Sequence, residues 1–250
     1  MSGPGRRTGE DGREGTPAAA PVEPSRAGPL SVRLLTRTED GERLSALLWR
    51  AGPGWRMISS AVLGGGIGER AWVLNAQVSH GYRRTDADRH LAGLAADAGV
   101  TGAGVGLMTA ADVGAYGHAR DGGAAAVATA GLGVRGWAAA SPAESPAVAS
   151  AVPAPPGTVN IVVALPVALT DAALVNAVAT ATEAKVQALL EAGYDCSGTP
   201  TDAVCVAAHT PVPGAEVHAF AGPRSRWGSR LARAVHSAVR SAAARAAAAP

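Results

Sequence analysis

Apolar positions occur in short blocks along most of the chain, and polar or glycine-rich segments separate these blocks. Blocks rich in Val, Leu and Ala that end at Gly, Pro or Asp predict strands. We expect strands at residues 31–36, 56–63, 71–78, 105–108, 124–132, 159–165, 203–208 and 217–220. Residues 41–48 fit either a strand or a helical turn.

Three longer segments show the periodicity of helices. Residues 86–98 predict a helix with Asp86 as its N-cap and Gly99 just beyond its end. Thr170 and Gly193 bound a second helix at 171–192 in the same way. A third helix is expected from Trp227 to Ala247, and a short one at 110–113.

The irregular alternation of strands and helices favours one domain of the α/β or α+β class. We expect a sandwich-like arrangement in which helices cover a mixed β-sheet. Residues 1–29 are expected to be a disordered extension, because they mix Gly, Pro and charged residues. The folded domain then spans 30–240, with a mobile Ala- and Pro-rich loop at 138–156 and a frayed Ala-rich tail at 241–250.

Two glycine clusters interrupt the pattern, at residues 64–68 and 102–106. Neither opens a strand–helix unit with an acidic residue about 20 positions later, as a dinucleotide site requires. We interpret both as tight turns or as places where the backbone approaches a large flat ligand.

Composition and charge exclude several classes of protein. The 250 residues have a net charge of only +2, and the arginines near the C-terminus lack aromatic residues between them, so we expect no nucleic-acid partner. Cys196 and Cys205 form no C-x-x-C pair, which is typical of reduced cytosolic thiols. No secretory apolar segment or membrane span is evident, so we expect a cytoplasmic protein with no membrane partner. A homo-oligomer is compatible with the sequence.

Lys185 is the only lysine among 22 basic residues, the rest being arginine. On a helical wheel Leu174, Val175, Val178, Val186 and Leu189 share one face, with Thr182 in its middle and Lys185 at its edge. Polar residues occupy the opposite face, namely Asn176, Thr180, Glu183, Gln187 and Glu191. Lys185 is therefore expected to point inward, either as an acid or base or in a structural role. The structural role would be one half of an ion pair, or an apolar stem that passes the core and keeps the ammonium in water.

Scarce polar residues gather between Gly157 and Ala203. The segment contains G-T-V-N-I-V-V (157–163), A-T-E-A-K-V-Q-A-L-L (181–190) and S-G-T-P-T-D-A-V (197–204). Together with W-V-L-N-A-Q-V (72–78), V-G-L-M-T-A-A (105–111) and A-G-P-R-S-R-W-G (221–228), it resembles the adenosylcobinamide amidohydrolase family over about residues 55–240. The resemblance implies a hydrolase that removes the aminopropanol arm of adenosylcobinamide. The product, adenosylcobyric acid, re-enters coenzyme B12 assembly, so the reaction is a step of corrinoid salvage.

The residues themselves suggest how such a hydrolysis would proceed. No G-x-S-x-G elbow is present, so a serine triad is not expected. The candidate catalytic residues are Lys185, Asp202, Thr199, Thr201 and Glu183, with either a threonine or water as nucleophile. Backbone amides around Gly198–Thr201 are candidate oxyanion donors. An ordinary turn capped by Thr199, Thr201 and Asp202 is the structural alternative.

A corrin is wide and flat, so we expect a broad groove with a few polar anchors. The candidate substrate-binding residues are Asn75, Asn160, Thr182, Gly198 and Trp137. Each tryptophan is a candidate lining residue, but for any one of them filling space in an alanine-rich core is the favoured role. Trp137 is the best exception, because it adjoins the loop at 138–156. That loop would serve as a lid.

A metal site is the weaker interpretation of His80, Asp86, Asp88 and His90. Asp88 and His90 are two residues apart on a predicted helix and do not face one another. We therefore expect no metal and no cofactor, the cobalt being part of the substrate. Two rival functions remain, a corrinoid carrier or sensor without catalysis and an amidase for another small amide.

Overall fold

A computed structural model describes residues 1, 3, 30–141 and 157–248. Nearly all of the expected N-terminal extension lies outside the described residues, as does the expected loop beyond residue 141.

The described chain forms strands and helices in a single α+β domain. The strands are β1 (Val32–Glu39), β2 (Glu42–Arg50), β3 (Trp55–Ser59), β4 (Gly66–Glu69), β5 (Trp72–Gln77), β6 (Val105–Thr109), β7 (Gly117–Asp121), β8 (Ala124–Leu132), β9 (Gly157–Leu169), β10 (Ala203–His209) and β11 (Val217–His218). The helices are α1 (Ala87–Asp97), α2 (Asp171–Glu191) and α3 (Arg226–Ala248), with a short 3₁₀ turn at Val113–Ala115.

The strands form two mixed sheets, where the sequence predicted one. The smaller sheet has the order β1-β2-β5-β6, and the larger one has the order β4-β3-β10-β9-β8-β7, with β11 beside β9. Parallel pairing occurs between β5 and β6 in the first sheet and between β9 and β10 in the second. The sheets pack face to face, with α1 on the outer side of the smaller sheet and α2 and α3 on that of the larger.

Strand β8 shows why periodicity could not separate the two sheets. Its nine residues, A-A-A-V-A-T-A-G-L, are all buried, because one face meets the helices and the other meets the smaller sheet. A strand buried on both faces has no polar side to mark its register. Small residues suit this position, since two layers must approach it closely.

Helix α2 packs through a row of alanines together with only part of the face that its larger residues predicted. Ala177, Ala181 and Ala188 are fully buried, whereas Val175 and Thr182 are exposed. Thr180, expected on the polar face, is buried and donates to the carbonyl of Ala221 at 2.8 Å. The predicted apolar face is confirmed for Leu174 and Leu189, which are fully buried, and wrong for Val175 and Thr182. The buried face is shifted toward the alanines, because small side chains allow close packing against α3 and the sheet.

The ends of the helices follow the sequence in part. Thr170 Oγ1 accepts from the backbone N–H of Ala173 at 3.1 Å, which confirms it as the N-cap of α2. Asp86 occupies the N-cap position of α1, but its carboxylate pairs with Arg84 and makes no capping bond. The tail expected to fray from residue 241 is helical to Ala248 and buries Ala242 and Ala243.

Several shorter elements differ from the prediction. Residues 41–48 belong to a strand, β2, and the strand expected at 56–63 ends at Ser59. The glycine-rich loop at 64–68 contains β4, and the sequence missed β7. The helix expected at 110–113 is replaced by the 3₁₀ turn, whose Asp112 side chain caps Gly114. None of the helices that the structure describes is long and apolar enough to cross a membrane.

Candidate active site

Lys185 and Asp202 form a buried ion pair between helix α2 and the loop that precedes β10. Lys185 Nζ donates to Asp202 Oδ2, and the two side chains are only 8% and 13% exposed. The prediction that the single lysine points inward is confirmed. The carboxylate compensates a charge that burial alone would strongly disfavour.

The Asp202 carboxylate accepts four hydrogen bonds from residues that the structure describes. Oδ1 accepts from the backbone N–H of Val159 at 2.8 Å and from Thr199 Oγ1. Oδ2 accepts from the backbone N–H of Thr199 at 3.2 Å and from Lys185. The first residues of β9, the turn at 198–202 and helix α2 are therefore joined at one carboxylate. Among the described residues, the Thr199 hydroxyl is the one neutral side-chain donor bound to this carboxylate.

Gly198 leaves room for this ion pair. Its φ of +155° is unusual for a residue with a side chain. A Cβ atom there would meet both Lys185 Nζ and Asp202 Oδ2. Because Gly198 has no side chain, the backbone can lie directly against Lys185 Nζ and Asp202 Oδ2.

Thr201 lies at the exposed edge of the same turn. Its Oγ1 donates to the carbonyl of Gly157 at 3.0 Å and lies 2.5 Å from Thr158 Oγ1. Thr158 also contacts the Gly157 carbonyl, at 2.9 Å. The two hydroxyls therefore form a small polar patch next to the Lys185–Asp202 pair.

Trp137 adjoins the site through a small backbone bridge. Gly136 N–H donates to Gly198 O at 3.0 Å, and Ser197 N–H donates back to Gly136 O at 3.0 Å. Trp137 follows directly and is 45% exposed, whereas the other tryptophans are nearly buried. The structure thus places Trp137 beside Gly198, with its indole accessible.

The expected oxyanion donors are already engaged in part. The Thr199 N–H is directed at Asp202. The Gly198 N–H is directed at the Cys196 thiol. Burial raises the pKa of that thiol, and the hydrogen bond from Gly198 opposes the rise. These two amides hold the turn together, so they are not free to bind a substrate oxygen.

Asn75 and Asn160 lie between the two sheets. Asn160 Nδ2 donates to Asn75 Oδ1 at 2.9 Å and to the carbonyl of Met108 at 3.1 Å, and Asn75 Nδ2 donates to Thr129 Oγ1 at 2.9 Å. Both amides are nearly inaccessible, at 5% and 1% exposure. Their placement does not fit direct contact with a corrin. They hold the sheets together beneath the site.

Thr182 and Glu183 lie outside the cluster. Both are exposed on α2, and the Thr182 hydroxyl bonds back to the carbonyl of Val178 at 2.9 Å. Side chains two residues apart on a helix do not face one another, so Glu183 is turned away from Lys185.

The glycine clusters serve internal packing. A Cβ atom at Gly104 would overlap the indole ring of Trp72, and one at Gly64 would meet the carbonyl of Gly104. The close backbone approach expected for a flat ligand is thus made by a buried tryptophan of the chain itself.

The four residues of the weaker metal interpretation are not brought together. Across 30–141 and 157–248, no three His, Cys, Asp or Glu side chains form a group that could hold a metal ion. His90 bonds to Glu39 and Tyr82, and Asp86 pairs with Arg84. The Arg84 guanidinium lowers the pKa of Asp86 to about 2.

Sequence reasoning missed Thr158 and the bridge between Gly136 and Gly198. A signal for Thr158 existed, since it lies two residues before Asn160 on a strand and therefore shares its face. The bridge gave no signal, because it joins two segments about 60 residues apart through backbone atoms alone.

Lys185 and Thr199 thus both donate to the Asp202 carboxylate, and a carboxylate in contact with an amine and a hydroxyl is a combination of groups that hydrolytic enzymes use. Comparison with known proteins gives the particular family. Residues 31–249 match the adenosylcobinamide amidohydrolase family, and the chain belongs to it. The match begins well before residue 55, so the first two strands are part of the family domain.

Two relatives bear the name adenosylcobinamide amidohydrolase. The protein of Methanosarcina mazei is 31% identical over 182 residues, which is 70% of this chain and 84% of the relative. The protein of Halobacterium salinarum is 48% identical over 88 residues, covering 35% of this chain and 36% of the relative. The second match is thus closer in sequence and spans about a third of either protein.

Proposed function

We propose that this protein hydrolyses the amide that joins the aminopropanol arm to adenosylcobinamide. The products are adenosylcobyric acid and aminopropanol, and the reaction serves corrinoid salvage. The observation that supports a catalytic role is the Lys185–Asp202–Thr199 cluster, an acid–base pair with a hydroxyl already bonded to the base. A carrier would not need such a cluster.

In the proposed reaction Asp202 accepts a proton from the attacking group, which is either Thr199 Oγ1 or a water molecule. The attacking oxygen bonds to the amide carbon, and the carbonyl oxygen becomes an oxyanion. Lys185 then donates its proton to the amide nitrogen as the carbon–nitrogen bond breaks. Transfer of the proton held by Asp202 to Lys185, along their hydrogen bond, restores both groups.

The two nucleophiles differ in their intermediates. Attack by Thr199 forms an ester that a water molecule must hydrolyse in a second step. Direct attack by water needs no covalent intermediate. In both cases one water molecule is consumed, and its OH joins the carbonyl carbon. In direct attack its remaining hydrogen replaces, by way of Asp202 and Lys185, the proton given to the leaving nitrogen. In the threonine route that proton comes from Thr199, and the remaining hydrogen of water restores the Thr199 hydroxyl when the ester is hydrolysed.

Binding of the corrin is assigned to the exposed side of this cluster. Trp137 offers an accessible indole beside Gly198, suited to the apolar face of a corrin. Thr201 and Thr158 offer hydroxyls at the same edge. Glu183 and Thr182 have no part in the proposed reaction, because both are directed away from the cluster.

The proposed reaction uses no resident metal or cofactor, since Lys185 and Asp202 fill the two proton-transfer roles. Cobalt enters as part of the substrate. We further propose that the protein acts in the cytoplasm on a small molecule, without nucleic-acid or membrane partners. Undiminished turnover after treatment with a chelator would support a metal-free reaction, and loss restored by added metal ion would overturn it.

A chromatographic assay of the purified full chain with adenosylcobinamide tests the proposal. We expect adenosylcobyric acid from the wild type, and none from Lys185→Ala or Asp202→Asn. Asp121→Asn is the matched control, because it removes a carboxylate from an exposed pair with Arg233 far from the cluster. Corrinoid binding without product would favour a carrier, and neither binding nor product would favour another amide as substrate.

A further inference from the structure

Strand β1 forms one edge of the smaller sheet, and no strand in the described part of the chain pairs with its outer side. An open edge exposes a row of N–H and C=O groups to which another strand can bind. Proteins usually shorten such an edge, bend it with a bulge or interrupt it with proline. The eight residues of β1 pair with β2 in an unbroken register and include no proline. β1 therefore lacks these defences against pairing.

The other sheet edges are shorter or partly covered. β4 and β7, at the edges of the larger sheet, have four and five residues. β6, at the far edge of the smaller sheet, has five, and its Gly106 N–H donates to Leu63 O at 3.0 Å. Among the strands that the structure describes, β1 is thus the longest edge open to pairing.

The turn after β1 decides which of its backbone groups face outward. Asp40 and Gly41 have φ values of 50° and 81°, as in a two-residue turn of type I′. Glu39 and Glu42 flank this turn and lie opposite each other, so they exchange hydrogen bonds. Bonded and unbonded pairs then alternate along the two strands. The odd-numbered residues of β1 therefore bond to β2, and the even-numbered ones direct their N–H and C=O groups to the open edge.

A side-chain contact of β2 agrees with this assignment. Thr36 lies opposite Ser45, in a pair that the alternation leaves unbonded. Ser45 N–H accordingly points away from β1 and donates to Gln77 Oε1 at 3.2 Å. The backbone groups of Thr36 point away from β2 in the same way, as do those of Leu34 and Thr38. Leu34 is also 51% exposed, so the edge carries an apolar side chain.

The charged side chains of β1 lie on the α1 side of the smaller sheet. Leu35 packs against the apolar cluster beneath α1, and alternate residues of a strand share a face. Arg33, Arg37 and Glu39 therefore lie on this face too. Arg37 donates to Glu39 Oε2 at 2.7 Å and fixes that carboxylate. Arg33 is exposed and has no ion-pair partner within the described residues, so its charge is available to another molecule.

We propose that β1 pairs antiparallel with β1 of a second copy of this chain, across a two-fold axis at Thr36. The two smaller sheets then join into one continuous sheet. Thr36 of each copy bonds to Thr36 of the other, and Leu34 packs beside Thr38 of the second copy. The surface is self-complementary, as a two-fold interface requires. It belongs to the smaller sheet and does not depend on the proposed function.

Charge selects this register over its neighbours. With the axis at Thr36, Arg33 lies opposite Glu39 of the second copy, and the same contact occurs twice. An axis at Leu35 would place Arg33 opposite Arg37, and an axis at Arg37 would place that residue opposite itself. Like charges directly opposite one another destabilise a pair of strands. An axis further along β1 in either direction would shorten the paired length.

Sedimentation equilibrium of the purified full chain tests the proposal. The wild type should have twice the 24.7 kDa mass of one chain. Thr36→Pro should raise the dissociation constant of the dimer about 100-fold or more, because it removes the N–H on the axis from both copies. That N–H makes no bond to β2, and proline is tolerated at edge positions of this kind.

Oxidative cross-linking tests the register without removing a backbone bond. Thr36→Cys should form a disulfide between two copies, because residues opposite each other in a bonded pair have Cα atoms about 5.5 Å apart. Thr38→Cys is the matched control, since the two copies of this residue would be separated by more than about 13 Å. Cys196 and Cys205 are buried and should not contribute.

Each outcome decides the inference. A wild type that stays monomeric would overturn it, and that result is also expected if residues 1–29 of the same chain cover the edge. A dimer that persists in Thr36→Pro, or equal cross-linking of the two cysteine variants, would place the interface elsewhere and overturn it as well. If Thr36→Pro does not fold, cross-linking confined to Thr36→Cys supports the interface, and its absence there refutes it.

Discussion

Lys185 Nζ donates to Asp202 Oδ2, so the only lysine of the chain is paired with a carboxylate 17 residues further on. Every other basic position is arginine, which makes the exception informative. A lysine can release its proton at moderate cost, whereas an arginine in a protein cannot. The pairing therefore suits a group that must give up a proton and regain it during each turnover.

Lys185→Arg should abolish hydrolysis even though it preserves the charge. The guanidinium does not deprotonate, and the Gly198 backbone leaves no space for a larger head group. We expect kcat to fall about 100-fold or more, the contribution of a general acid. Steady-state kinetics and a far-ultraviolet spectrum of the folded variant check this. Activity close to that of the wild type would show that Lys185 acts only as a positive charge.

Gly198→Ala should disrupt the ion pair from the backbone side. The added Cβ meets Nζ and Oδ2, and the φ of +155° is unfavourable for alanine. We expect a loss of about 1–3 kcal/mol in the free energy of unfolding, together with loss of activity. Gly136→Ala, across the same bridge, is the control, because a Cβ there meets no atom within 4 Å. Equal effects of the two substitutions in urea unfolding would contradict this account.

The fold could be predicted for segments that pack on one side only, because one buried face leaves an alternation of apolar and polar residues. It could not be predicted for segments that pack between two layers. Strand β8 and helix α2 have their limits close to those expected, since turns and caps are local. The division into two sheets and the alanine face of α2 depend on which layers pack together. A strand made only of apolar residues does not show which of its faces meets which layer.

The site shows the same division. Scarcity of lysine, together with its helical position, led to Lys185, and the neighbouring turn led to Asp202. Asparagine is also scarce, with three in the chain, yet Asn75 and Asn160 lie between the sheets and bond to one another. The sequence gives the type of a residue but not how deeply its side chain is buried. The sequence drew attention to His90 only as a possible metal ligand. Its contact with Glu39 gave no signal, because that contact joins residues on α1 and β1.

Substitutions at Thr199 distinguish the two nucleophiles. If Thr199 attacks, Thr199→Val should eliminate turnover, whereas Thr199→Ser should keep it within about tenfold, since the hydroxyl remains. If water attacks, Thr199→Val should retain measurable turnover, because Asp202 keeps the N–H of Val159 and the ammonium of Lys185. Single-turnover mass spectrometry checks the result, since a covalent ester adds the mass of the corrin acyl group to the wild type.

Trp137→Ala should weaken substrate binding with little effect on folding. The indole is 45% exposed, so its removal costs little core packing. Loss of one stacking contact should raise KM about tenfold, with a smaller change in kcat. Phe220→Ala is the control, since that ring is 75% exposed and lies near Asn176, at the other end of α2 from Lys185. A normal KM in Trp137→Ala would remove the indole from the binding surface.

Cys205 should make the fold sensitive to alkaline pH. Burial raises the pKa of its thiol from the ordinary cysteine range, near 9, to about 12. The unfolded chain therefore loses this proton first as the pH rises. The contribution of the thiol to stability is complete below pH 9 and disappears between about pH 9 and 12, at about 1.4 kcal/mol per pH unit. Urea unfolding at about pH 8, 9.5 and 10.5 should show a shallower alkaline loss for Cys205→Ala than for the wild type, whatever the change in absolute stability. Parallel pH profiles for the two proteins would mean that the thiol ionises in the folded state as readily as in the unfolded one.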